Sequence, residues 1–153
     1  MGVSNGLLGD ALAAWVHYVC IFALASTLAI ELVLYRRSLS AAFHRTLRAV
    51  DGWYGILAGV VVASGLARIF LSPKGAAYFT HNPIFWTKMG LFALIALISI
   101  VPTVHFLRLR PDDSGTIAVP ATTFQSIRTL LWIEAVLFVC LPLCASFLAR
   151  GYH

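Results

Sequence analysis

Four residues place reactive chemistry where it is costly to keep: His17, Glu31, Lys88 and Glu134 each interrupt a long apolar run. An imidazole there can bind a metal or exchange a proton, an inward lysine needs a partner, and an intramembrane carboxyl either holds a proton or pairs with arginine. His17 and Glu31 fall in the same run. At 100° per residue they lie about 40° apart, with Cys20, Leu24 and Thr27 on the same side of one helix. A rise of 1.5 Å per residue separates the two by about 21 Å along the axis, so each sits near a different membrane face.

The elements that position them follow from composition. Of the 153 residues, 60% are hydrophobic and 11% charged, and the mean hydropathy is +0.88. That is too few polar residues to cover a water-soluble globule. Apolar windows at residues 11–35, 53–71, 83–107 and 130–149 are each near or above the roughly 17–25 residues that a hydrocarbon layer requires. The expectation is an all-α integral membrane protein, a four-helix antiparallel bundle forming one domain over residues 1–153. A β-barrel is excluded because the runs are continuously apolar rather than alternating. The first ten residues carry no Lys or Arg, so the first helix is expected to stay rather than be cleaved as a signal peptide.

Charge distribution says more than the net charge of +5. Arg36, Arg37, Arg45 and Arg48 lie between the first two windows, and Arg108, Arg110 and Arg128 between the last two. By the positive-inside rule these segments face the cytoplasm of a bacterial inner membrane and both termini lie on the non-cytoplasmic side. Arginines so placed are explained by topology, and nucleic-acid binding is not indicated. Cys20, Cys140 and Cys144 all fall inside spans and read as small packing residues.

Along the chain, residues 38–50 read as a short basic interfacial helix, with His44 either at headgroup level or a donor at that end. Asp51 reads as the start of the second helix, placed to cap it. Gly55, Ala58, Val62 and Gly65 then share a face, suited to helix packing or to a flat wall against a planar group. Residues 72–87 hold Pro73, Gly75 and Pro83 among the aromatics Tyr78, Phe79, Phe85 and Trp86, and should fold back over the mouth of the bundle. His81 there either caps the third helix or faces a bound group. Lys88 comes out level with His17, its nearest partner by depth if it points inward. Residues 108–125 read as a mobile, turn-rich loop. Glu31 and Glu134 come out at comparable depth near Arg36 and Arg128, so they form either an arginine–carboxylate clasp or a proton-linked cluster.

The run from Lys74 to Phe79, then His81-Asn82-Pro83, Phe85-Trp86, Lys88 and Ala149-Arg150-Gly151-Tyr152 resemble a family of small bacterial predicted membrane proteins without an assigned activity. That resemblance implies four helices over nearly the whole length. More distantly, the helix-one histidine, the tryptophan shortly before a lysine at the start of helix three, and the four-span size resemble the HemJ-type protoporphyrinogen oxidases and the copper-resistance protein D membrane domain. The HemJ likeness implies haem b and oxidation of a porphyrinogen, with His17 and Lys88 as the residues carried over. Ser99 and His105 do not reproduce that group's further histidines.

Three functions follow as expectations. The first is a membrane haem b protein with a redox role, in which His17 supplies an axial nitrogen, Lys88 lies beside it, and Tyr78, His81 or Arg68 lie near the propionates. The second is a transport or copper-handling module using His17, Cys20, Cys144 and Lys88; two methionines are few for a Cu(I) path. The third is a structural or assembly subunit. In each case the partner is the lipid bilayer, and because four helices alone rarely enclose a wide pathway, a homo-oligomer is one expectation.

Overall fold

The computed structural model describes residues 2–71 and 75–150, with side chains described from Leu8 onward. Lys74 and Gly151-Tyr152 lie outside the described residues. The long helices are α1 (Gly2–Leu34), α2 (Ala41–Leu71), α4 (Pro83–Arg108) and α5 (Ala121–Ala149), with a short α3 (Ala76–Thr80) between α2 and α4. Two short strands, β1 (Ser38–Ser40) and β2 (Thr116–Ala118), precede α2 and α5. Leu8–Leu34, Ala41–Leu71, Pro83–Arg108 and Ala121–Ala149 are each long and apolar enough to cross a membrane.

The helices pack as two hairpins. α1 lies mainly on α2 and α4 mainly on α5, while α1 against α5 and α2 against α4 close the bundle. Its axis is filled by Leu24, Leu28, Tyr54, Val61, Ile95, Leu131, Phe138 and Leu141. Phe22, Phe70 and Val139 point outward with most of their surface uncovered, as helices satisfied internally can do against lipid. α4 begins with a side-chain cap: Asn82 Oδ1 accepts from Ile84 N–H at 2.9 Å, and Pro83 takes the first helical position, where its missing N–H is not needed. His81 is therefore not the cap. It is exposed and donates from Nδ1 to the Ala77 carbonyl at 2.9 Å.

The end of the bundle opposite α3 differs from the sequence expectation in two ways. Of residues 38–50, expected as a separate interfacial piece, 38–40 form β1 and the rest open α2, which runs unbroken from Ala41 because the apolar face of Leu47, Tyr54 and Val61 continues it inward. The loop before α5 is ordered as well. β2 pairs antiparallel with β1, Leu39 opposite Ile117, and both side chains are buried beside Tyr35, Leu47 and Phe106. Asp112 builds the turn into β2: its Oδ1 accepts from the N–H groups of Ser114 (3.0 Å) and Thr116 (2.9 Å) and from the Ser114 hydroxyl. Gly115 takes φ 75°, which L side chains resist, and its carbonyl accepts from Ala41 N–H at 3.0 Å. This ribbon ties the two interhelical connections together. Above it Tyr35 stacks on Phe124 with centroids 5.3 Å apart and bonds His105 Nε2 at 2.9 Å. His44 is buried and donates to the Phe106 carbonyl at 2.9 Å, one of the C-terminal carbonyls of α4.

Candidate functional site

Each of the four long helices sends a polar side chain to one level of the bundle nearer the ribbon. α1 contributes Glu31, α2 Asp51 and Tyr54, α4 Thr103, and α5 Glu134. Glu31 is 2% exposed, Glu134 1% and Asp51 8%. Two hydrogen bonds connect them: Thr103 Oγ1 donates to Asp51 Oδ1 at 2.7 Å, and Tyr54 Oη donates to Glu134 Oε2 at 3.3 Å. Glu31 Oε1 and Glu134 Oε1 are buried without a hydrogen-bond partner among the described residues. The carboxyls of Asp51 and Glu134 both lie close enough to Glu31 to act on it electrostatically, and Asp51 likewise on Glu134.

Glu134 acts electrostatically on Glu31, but among the described residues no arginine pairs with either carboxyl. Arg36 reaches back to the Val33 carbonyl at 3.4 Å and lies 5.9 Å from the Phe43 ring centroid, and Arg128 lies 5.6 Å from the Phe124 ring. Arg36 lies just beyond α1 and Arg128 two turns into α5, both exposed with the guanidinium resting over an aromatic ring, and turning inward would desolvate it. The charge cluster is therefore Glu31, Asp51 and Glu134, with Arg36 and Arg128 outside it. Asp51, expected to cap a helix, lies ten residues inside α2. The signal for it was the spacing Leu47, Asp51, Tyr54, Ala58, Val61, which places it on the buried face.

The cluster borders open space. A cavity of about 760 Å³ lies between α2 and α4, with Asp51, Tyr54 and Thr103 in its wall and Arg45 and Arg48 toward the ribbon. An acid otherwise buried in the bundle is thereby exposed to the cavity on one side.

A second group forms nearer α3. His17 is 4% exposed, and its Nδ1 lies 3.0 Å from Ser64 Oγ. The Ser64 hydroxyl is placed to donate to the Val61 carbonyl at 3.1 Å, so it can accept from His17 in the Nδ1–H tautomer, the form that leaves Nε2 a lone pair. Gly65 makes the seat: a Cβ there would lie 3.2 Å from His17 Cε1. The charges of Lys88 and Arg68 both reach His17, and Lys88 also feels Cys144. Lys88 is half-buried, while Arg68 stacks 5.3 Å from the Tyr18 ring centroid with its Nε buried and unpartnered among the described residues. Arg68 and Lys88 therefore both lie within electrostatic range of His17. Tyr78 donates its hydroxyl to the Leu148 carbonyl at 2.9 Å, and His81 turns to its own helix. Among the described residues no group of three or more His, Cys, Asp or Glu is placed to hold a metal ion, so His17, Cys20 and Cys144 do not converge as a copper path would need.

No curated protein and no solved structure matches this sequence. The four membrane-length helices agree with the family comparison, which covers residues 9–153: the chain belongs to the predicted membrane protein family DUF2214.

Proposed function

We propose that this is a proton-linked membrane protein whose working group is the buried acid cluster Glu31, Asp51 and Glu134. The observation that carries the reading is Glu31, buried between helices with an unpartnered oxygen and, among the described residues, no basic group acting on it. A charged carboxylate left unpaired in an apolar interior costs several kcal/mol, and taking up a proton removes that cost. Asp51 is the port, since it lines the cavity. Tyr54 lines the same cavity and donates to Glu134, so its hydroxyl brings the cavity wall to one of the two inner carboxyls. A proton taken at Asp51 passes inward, and its arrival at Glu31 or Glu134 changes the charge that four packed helices must accommodate. Such a coupling suits proton-driven movement of a solute or proton delivery to a partner. The ribbon end, with its arginines, faces the cytoplasm of a bacterial inner membrane and the α3 end faces away.

Infrared spectroscopy of the protein in lipid tests the cluster directly. A protonated carboxyl band at neutral pH, lost in Glu31→Gln, supports the reading; a wild-type spectrum without that band overturns it.

A second reading is favoured by the buried His17 imidazole, whose Nδ1 lies 3.0 Å from Ser64 Oγ. The donor set fits haem b: Ser64 orients the imidazole through Nδ1, as partners of ligating histidines do, and Arg68 and Lys88 offer cations for propionates. Haem would supply one-electron chemistry at the α3 end. Absorption spectra of the purified protein before and after dithionite decide it: a stoichiometric Soret band lost in His17→Ala supports haem, and a colourless protein from haem-replete cells removes it.

A further inference from the structure

We propose that the groove between α2 and α4 is a binding site for one anionic phospholipid, with its phosphate on Arg45 and Arg48 and an acyl chain lying toward the bundle centre. The two arginines stand one turn apart on α2, are exposed, line the same cavity and have no carboxylate partner among the described residues. Below them the wall turns apolar through Gly55, Ile56, Ala58, Phe92, Ile95 and Ala96. From Arg45 to Ala58 the groove spans about 20 Å along α2, enough for a headgroup and one leaflet's half of a roughly 30 Å hydrocarbon layer. Its volume is about 760 Å³, and it is open along one side.

The glycines of this wall are not required by packing inside the chain. A Cβ added at Gly52 or Gly55 would meet nothing within 4 Å. Their smallness leaves room for something outside the chain, and charge complementarity selects what it is. A phosphate accepts hydrogen bonds from arginine in a geometry that suits the guanidinium fork. A second copy of the chain suits the face less well, because a symmetric parallel contact would bring Arg45 and Arg48 against their own copies at the same depth. Asp51 is the one acid in the wall, and the hydroxyl of Thr103 engages its Oδ1.

The test uses the full chain reconstituted in phosphatidylcholine vesicles containing a minor fraction of phosphatidylglycerol. The lipid retained after re-extraction in mild detergent is quantified by native mass spectrometry. The wild type should enrich phosphatidylglycerol over phosphatidylcholine by about tenfold, as two surface arginines allow. Arg45→Gln with Arg48→Gln should bring that preference to about one. Gly55→Leu, which fills the groove without touching the arginines, should lower retention of both lipids. No preference in the wild type, or a preference unchanged in the arginine variant, overturns the proposal. A wild-type dimer that dissociates in Gly55→Leu overturns it too, since the groove would then hold a second copy. None of these outcomes depends on the acid cluster taking up a proton.

Discussion

Replacing Glu31 by leucine should stabilise this protein while abolishing its proton uptake. Glu31 is 2% exposed and its Oε1 has no hydrogen-bond partner among the described residues, so the side chain is an unsatisfied polar group rather than a link in a network. Leaving such a group buried costs about 1–3 kcal/mol, and an apolar side chain of similar size recovers that amount. Glu134→Leu provides the control. Glu134 is as deeply buried, but it accepts from Tyr54 at 3.3 Å, so its removal leaves a buried tyrosine hydroxyl unpaired and the gain and loss nearly cancel. Adding Tyr54→Phe to Glu134→Leu should restore the gain. The assay is reversible unfolding by sodium dodecyl sulfate in mixed micelles, followed by circular dichroism. A Glu31→Leu protein less stable than wild type by about 1 kcal/mol or more would refute the reasoning, because it would mean the carboxyl has a favourable partner.

Gly65→Ala should displace the His17 ring by a few tenths of an ångström, since the new Cβ would lie 3.2 Å from Cε1, with the crowding offset by the gain of about 0.5–1 kcal/mol that alanine brings within a helix; a histidine NMR resonance that stays put in the variant would show that the ring is not seated there. Leu39→Ala should cost about 2–4 kcal/mol, because Leu39 is fully enclosed at the ribbon, whereas an alanine at exposed Phe22 should change stability little; equal losses in the same denaturation assay would contradict the packing described. The Asp112 carboxyl is held below the usual carboxylate range by the Ser114 hydroxyl and by the amides of Thr116 and Ser114. With the folded value below the unfolded one, its support for the turn is present above about pH 4 and is lost as the pH falls through the lowered folded value. Hydrogen exchange at Ser114 and Thr116, corrected for its intrinsic pH dependence, should lose protection in that acid window in wild type, and Asp112→Asn should remove the pH response.

The spans were legible because continuous apolar runs of membrane length have one common outcome. Depth counting along helices of known rise puts Glu31 level with Glu134 and His17 level with Lys88, and in each pair the charge of one group acts on the other. Depth counting says nothing about azimuth, which is why Arg36 and Arg128 were drawn into a cluster they do not join. Asp51 was misplaced for a different reason: a basic stretch before an apolar one reads as an interfacial boundary, yet the same helix continues through both because Leu47 and Tyr54 share its buried face. The ribbon was hidden because each of its strands has three residues, too short for alternation to register. Its partner strands are also far apart in the sequence.

That ribbon has a consequence for how the helices stand relative to one another. Apolar helices in lipid gain and lose little when one slides along another, since hydrocarbon lies on both sides of the move. A strand pairing is not so tolerant. Shifting β1 by one residue against β2 would turn Leu39 out of the core, so the nearest alternative that keeps it buried is a jump of two residues, about 6.7 Å. The ribbon therefore acts as a vernier. It permits one axial setting of the α1–α2 hairpin against the α4–α5 hairpin, and in that setting Glu31, Asp51 and Glu134 stand at the same depth.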